Sequence, residues 1–189
     1  MVTTGEMQTG EMKTEEMQTE TVTTGEPAAF TIRTPRPDEG GTLADIESRC
    51  FSAATAASRG QIEARLAAFR DCFLLAEADG VPVGFINGAR ADEPALPDAM
   101  YHDTALHRPG GAWQTVFGLS VLPPYRRRSV AGRLLEAFIE LARKRGCDGV
   151  VLTCREPLIH YYERFGFVDR GVADSAHGGE VWYDMRLTF

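Results

Sequence analysis

Three consecutive arginines stand directly ahead of three small residues in the run Val121-Leu122-Pro123-Pro124-Tyr125-Arg126-Arg127-Arg128-Ser129-Val130-Ala131-Gly132. An apolar stretch, two prolines and then a helical pattern mark a strand end meeting a helix start. There the first backbone N–H groups lack intrahelical partners and the helix dipole turns its positive end outward. Such a junction favours an anion of the pyrophosphate type, and small residues at 129, 131 and 132 let the backbone approach it closely. A second candidate lies in Tyr161-Tyr162-Glu163-Arg164-Phe165-Gly166-Phe167. A phenol of pKa about 10 can act as a proton donor, although an aromatic in that setting can also be plain core.

Proton acceptors are less defined. His177, Asp103 and His107 fall in expected loops, and His160 is close in sequence to Tyr162. Tyr161 should face away from Tyr162, because neighbouring helical residues are about 100° apart. Cys154 has no His or Asp tied to it by spacing, so an inert buried thiol is expected. The four Cys, at 50, 72, 147 and 154, show no C-x-x-C spacing, and only four His are present. No metal site is expected, and reduced thiols point to a cytoplasmic location. The dinucleotide pattern G-x-G-x-x-G is absent, which argues against nicotinamide chemistry.

These residues need a scaffold, and the periodicity supplies one. Phe30 to Arg33 alternates as a strand, and a helix is predicted from about Asp38 to Phe51 on Leu43, Ile46 and Phe51. Ser58 with Gln61 three residues on is a capping box, opening a helix whose inward stripe is Ile62, Leu66 and Phe69 and whose end lies near Asp71. Apolar runs 72–78 and 81–89, separated by Asp79-Gly80, predict an antiparallel hairpin. Residues 91–112 read as a long irregular connection, 113–122 as one buried strand, and 130 to Gly146 as a strongly amphipathic helix. A short strand at 149–153, a helix at 156–164 and strands at 167–172 and 180–187 complete an α+β fold. Its central sheet is mixed, mostly antiparallel and flanked by helices.

The length of 189 residues allows one full domain. Residues 1–26 repeat Glu-Met-x-Thr on a five-residue step that suits neither helix nor strand, so a disordered acidic tail is expected, with the domain over 27–189. That tail holds six Glu and one Lys, net −5, leaving −2 of the total −7 on the domain. A nearly neutral body argues against a nucleic-acid partner. No apolar run reaches the roughly 18 residues of a membrane span, and no signal core is seen at the amino end.

The stretch from Val121 to Leu135 resembles the signature of the GCN5-related N-acetyltransferases (GNAT): Arg or Gln, two residues, Gly, one residue, Gly or Ala. Here it reads Arg126-Arg127-Arg128-Ser129-Val130-Ala131, with Ser129 where Gly is usual. If that position needs a positive φ, Ser carries a cost; if it needs only a small side chain, Ser is tolerated. The Tyr-x-x-x-Gly-Phe end at Tyr162 is similar too, and the resemblance runs from about Phe30 to the carboxyl end. The runs 153–162 and 175–185 resemble the serotonin (arylalkylamine) N-acetyltransferase branch. The two His of that branch fall at Thr115 and Phe117, so arylalkylamine substrates do not follow.

The resemblance implies an acetyl-coenzyme A dependent N-acetyltransferase acting by direct attack in a ternary complex. It places the cofactor on Arg126, Arg127, Arg128, Ser129, Val130 and Ala131, with backbone groups of Leu119 and Val121 along the cofactor arm. Tyr162 becomes the general acid, and His177 is the base candidate. Asp92, Glu93, Asp98 and Asp103 suggest an acidic collar and a small cationic amine as acceptor. A homodimer is left open. Two other readings stay in view: a regulatory acyl-coenzyme A binding module without turnover, and an adaptor working through the tail.

Overall fold

A computed structural model describes residues 30–189, so the tail reading lies outside the described residues. The first sheet is antiparallel throughout, in the order β1 (Phe30–Arg33), β2 (Phe73–Ala78), β3 (Val81–Asn87), β6 (Gly118–Val121). The second runs β4 (Arg90–Ala91), β5 (Trp113–Val116), β7 (Gly149–Cys154), β9 (Tyr183–Thr188), β8 (Val168–Val172). Within it only β5 and β7 pair in parallel. The mostly antiparallel α+β reading is therefore realised, with the sheet in two parts.

Helices cover both faces. Phe73 and Leu75 of β2 pack with Leu43 and Ile46 of α1 (Gly40–Cys50) and with Ile62, Leu66 and Phe69 of α2 (Arg59–Phe69). Leu74 and Ala76 of β2 pack with Leu134, Leu135 and Phe138 of α3 (Val130–Lys144). Burial on both sides explains why this hairpin strand reads as an apolar run with no polar alternation. The Ser58–Gln61 capping box forms in both directions, Gln61 N–H donating to Ser58 Oγ at 3.3 Å and Ser58 N–H to Gln61 Oε1 at 2.8 Å. Gly146, at φ +68°, ends α3.

The single strand expected over 113–122 is divided at Phe117. Upstream, β5 lies beside β7; downstream, β6 lies beside β3. The division is fixed by close backbone contact. A Cβ on Gly88 would come within 1.8 Å of the Thr115 carbonyl oxygen, so only glycine lets the end of β3 pass β5 there. Past Phe117, β6 and β7 no longer pair, and an opening forms between the two sheets.

Other boundaries move for local reasons. The 91–112 connection holds two 3₁₀ turns, Asp98–Tyr101 and Thr104–Leu106, the second opened by Asp103 accepting from Ala105 N–H at 2.9 Å. The helix expected at 156–164 becomes a 3₁₀ turn at Glu156–Leu158, where Pro157 sits at the start, and then α4 (Ile159–Glu163). The last strand begins at Tyr183, since a 3₁₀ turn with left-handed Gly178 occupies His177–Gly179.

Candidate functional site

Two hollows flank β6. The first, of about 500 Å³, lies at the start of α3 and is lined by Val121, Tyr125, Arg126, Arg127, residues 129–133, Glu136, Tyr161, Arg164 and Phe165. The first bond of α3 runs from Arg133 N–H to the Ser129 carbonyl at 3.0 Å. The N–H groups of Val130, Ala131 and Gly132 are thereby left without intrahelical acceptors, at the positive end of a fifteen-residue helix. Ser129 has φ +62° and Arg127 φ +60°, so the chain coils in a left-handed step just before the helix. Position 129 does need the positive φ, and its Ser carries the cost that Gly would avoid. Arg128 turns its guanidinium over the Tyr125 ring, 5.7 Å from the centroid, and does not line the hollow.

The second hollow, of about 300 Å³, occupies the opening between β6 and β7. Residues 116–119 and 152–155 form two of its sides; Glu47 and Arg65 reach it from α1 and α2, Tyr162 from α4, and Tyr101, His177 and Trp182 from loops. Tyr161 and Tyr162, adjacent in α4, thus serve different hollows. Leu122 N–H donates to the Val83 carbonyl at 2.9 Å, and strand alternation then turns the backbone groups of Leu119 and Val121 to the unpaired edge of β6. The Val121 carbonyl accepts from Arg126 Nε at 3.0 Å, tying the strand edge to the arginine run. Leu119 lines the deep cavity and Val121 the hollow at α3, so one strand edge connects the two.

Burial sets the acid–base character of the cavity. Tyr162 is 8% exposed, and removal from water pushes its phenol well above the ordinary value; Cys154 and the neighbouring tyrosines add to the rise. The Cys154 thiol, also buried, is pushed up to about 11, which suits an inert thiol and not a nucleophile. Glu47 is 5% exposed. Desolvation raises its carboxyl above the usual carboxylate range, opposed by hydrogen bonds from Ser120 Oγ at 2.8 Å and Ala57 N–H at 3.2 Å and by the Arg65 charge. His177 lies 5.2 Å from the Tyr101 ring in a stack, and its Nε2 is 3.1 Å from the Thr55 carbonyl, which requires the proton on Nε2 and leaves Nδ1 as the basic nitrogen.

The remaining candidates stand elsewhere. His107 Nδ1 accepts from Arg90 N–H at 3.1 Å and its ring stacks on Phe69, while burial lowers its pKa. His160 is exposed and paired with Glu163 at 2.7 Å. The acidic collar is not formed. Asp98 holds Ser175 Oγ at 2.6 Å and Ala176 N–H at 3.1 Å, Asp92 pairs with Arg108 at 3.7 Å, Asp103 caps its turn, and none of these or Glu93 lines the cavity. Thr115 is wholly buried on Ala89, while Phe117 faces the cavity beneath Arg65, whose guanidinium lies 4.8 Å from its centroid.

Glu47 and Arg65 were the residues that motif reading passed over. A signal for both exists in the sequence. Leu43, Ile46, Glu47 and Cys50 form one inward stripe and Ile62, Arg65, Leu66 and Phe69 another, so each charge sits among apolar residues on a buried helix face.

Comparison with known proteins gives the following likenesses. The family model described as "Acetyltransferase (GNAT) family" matches residues 41–167. A probable glucosamine 6-phosphate N-acetyltransferase 2 of Oryza sativa subsp. japonica is 30% identical over 89 residues, 43% of this chain and 54% of its own. Serotonin N-acetyltransferase of Mesocricetus auratus is 27% identical over 111 residues, 58% of this chain and 52% of its own. This chain thus spans about half the length of the curated relatives it matches. A GNAT family acetyltransferase from Brucella melitensis, solved in complex with acetyl-CoA, aligns with a TM-score of 0.58 at 21% identity, over 86% of this chain and 89% of that one. Among the described residues no helix is long and apolar enough to cross a membrane.

Proposed function

The chain belongs to the acetyltransferase (GNAT) family, and from that premise we propose that it transfers an acetyl group from acetyl-CoA to the primary amine of a small acceptor whose amine is cationic in solution. The observation that carries this reading is the unpaired edge of β6, which joins an anion cradle at one end to a cavity lined by acid and base groups at the other. The cradle suits a pyrophosphate, because three open N–H groups and a helix dipole stand beside small residues at 129, 131 and 132, and Arg126 and Arg127 line the same hollow. Acetyl-CoA supplies the activated acyl carbonyl when bound. Leu119 offers backbone groups along the arm of the cofactor.

Glu47 is the base of this scheme. Its burial brings a carboxylate closer to the basicity an amine proton requires near neutral pH. His177 is the second base candidate through Nδ1, but its ring also bonds the Thr55 carbonyl and stacks on Tyr101. Tyr162, facing the same cavity with a phenol that burial keeps protonated, returns a proton to the departing thiolate. Attack is direct, with both substrates bound together.

Thiol release from acetyl-CoA in the presence of a panel of primary amines, alongside calorimetric titration with acetyl-CoA, tests the reading. Amine-dependent release with saturable cofactor binding is expected. Cofactor binding with no release for any amine would favour a non-catalytic acyl-CoA module, and absence of binding would overturn the assignment of the cradle.

A further inference from the structure

Two buried opposite charges face the deep cavity without meeting. Glu47 and Arg65 are 5% and 4% exposed, both line it, and among the described residues no ion pair joins them. Glu47 is held by Ser120 and Ala57, whereas Arg65 donates to the Tyr101 carbonyl at 2.7 Å and to Asn87 Oδ1 at 3.4 Å. Arg65 Nε and Asn87 Nδ2 are buried with no hydrogen-bond partner among the described residues. Each charge feels the other through space, but hydrogen bonds from neutral groups alone compensate a buried guanidinium or carboxylate poorly.

The charges also face adjoining positions of the chain. Arg65 lies over the ring of Phe117, and the Glu47 oxygens are 3.8 Å and 3.9 Å from where a Cβ on the next residue, Gly118, would stand. Asn87 stands between them: its Oδ1 accepts from Arg65 at 3.4 Å, and its Nδ2 and Glu47 Oε2 lie 3.4 Å and 3.8 Å from that same point at Gly118, so the two charges flank one amide and suit a ligand whose own opposite charges are close together. Around them the walls are apolar and aromatic, with Phe51, Phe117 and Trp182. The volume of about 300 Å³ is at the lower end of the range of small-molecule sites.

We propose that the acceptor is a free α-amino acid with an apolar side chain, its ammonium at Glu47 and its carboxylate at Arg65. This rests on the acetyltransferase reading above and narrows its substrate class. The guanidinium pairs with the carboxylate by charge-assisted hydrogen bonds, while the apolar side chain fills the aromatic part of the cavity. Glu47 takes the ammonium proton, and the freed amine then attacks; Arg65 takes no part in proton transfer and determines specificity only.

The test compares L-phenylalanine, its methyl ester and 2-phenylethylamine by kcat/KM for thiol release, in wild type and in Arg65→Met and Arg65→Lys. Wild type should prefer the amino acid over the two compounds lacking a carboxylate by about 10⁴-fold or more, the scale on which sites reject ligands that leave a buried polar group unpaired. Arg65→Met should bring that ratio near one, and Arg65→Lys should restore part of it. Comparing compounds on the wild type needs no variant, so the proposal stays testable if Arg65→Met fails to fold. If wild type handles the ester and the amine as well as the amino acid, the proposal is overturned while the acetyltransferase reading survives. If none of the three is turned over, calorimetry of the same compounds on the CoA-loaded protein decides: binding of the amino acid alone supports the proposal, and equal or no binding overturns it. Loss of acetyl-CoA binding itself would overturn the underlying reading.

Discussion

At the start of α3 the binding groups are main-chain N–H groups from consecutive residues, whereas the deep cavity gathers Glu47, Arg65, Phe117, Tyr162 and His177 from five separate segments. The difference predicts how each region responds to change. A backbone cradle is indifferent to most side chains and fails only when bulk or the wrong charge enters it. A cavity built from side chains held in low dielectric depends on single atoms, because each polar group there has been taken out of water for a purpose.

Substitutions that respect or violate this contrast have graded consequences. The largest effect is expected from Ala131→Glu, which sets a carboxylate among the open N–H groups of the cradle. Acetyl-CoA binding should vanish in calorimetry with the melting temperature little altered; unimpaired binding would locate the cofactor elsewhere.

Next comes Glu47→Gln, which keeps the shape and removes the base. A fall in kcat of about 10²–10⁴ is expected, the usual contribution of a positioned base. In wild type, kcat/KM should rise with pH through a midpoint above the ordinary Glu value, because burial lifts that pKa. This acidic limb should be absent in the Gln variant, and its persistence would shift the role to His177. Stability should move the other way. A carboxyl whose folded pKa is raised binds more protons folded than unfolded, so its contribution is complete below the unfolded value and is lost as pH rises through the folded one. Near neutral pH the neutral Gln should therefore raise the melting temperature, by about 2–4 °C for each kcal/mol regained. A lower melting temperature would mean that the carboxylate stabilises the fold.

The smallest effect belongs to Ser129→Gly. Relief of a left-handed Ser at φ +62°, about 1–2 kcal/mol, is partly offset by the greater freedom of Gly in the unfolded chain. A rise of a few degrees in melting temperature and cofactor affinity preserved or slightly tighter are expected. A clear loss of affinity would show that the Ser129 hydroxyl takes part in binding.

The same contrast governs what could be read from sequence. The cradle and α3 were legible because their signals are contiguous: an apolar strand, prolines, small residues and then a 3.6-residue period from Val130 to Ala142. The Asp79-Gly80 hairpin and the Ser58–Gln61 box were legible for the same reason. The division of the strand at Phe117 was not, since it depends on Gly88 meeting Thr115, a contact between segments 27 residues apart. Asp92, Glu93, Asp98 and Asp103 suggested a collar as a cluster along the chain, but Arg108, the distant Ser175-Ala176 segment and the turn that Asp103 caps consume three of them. The acid that faces the cavity, Glu47, sits in a helix stripe among apolar residues, where a motif search does not look.

Tyr162→Phe puts the junction of the two regions to the most direct test, because the ring still packs on Phe167 and only the phenolic proton is removed. With kcat measured by thiol release and acetyl-CoA affinity by calorimetry, kcat should fall by about 10²–10⁴ while the cofactor Kd stays within about twofold. The alkaline decline of kcat, displaced above the ordinary phenol range by burial, should disappear with the hydroxyl. Wild-type turnover in Tyr162→Phe would contradict the account, as would a loss of activity explained wholly by weaker cofactor binding.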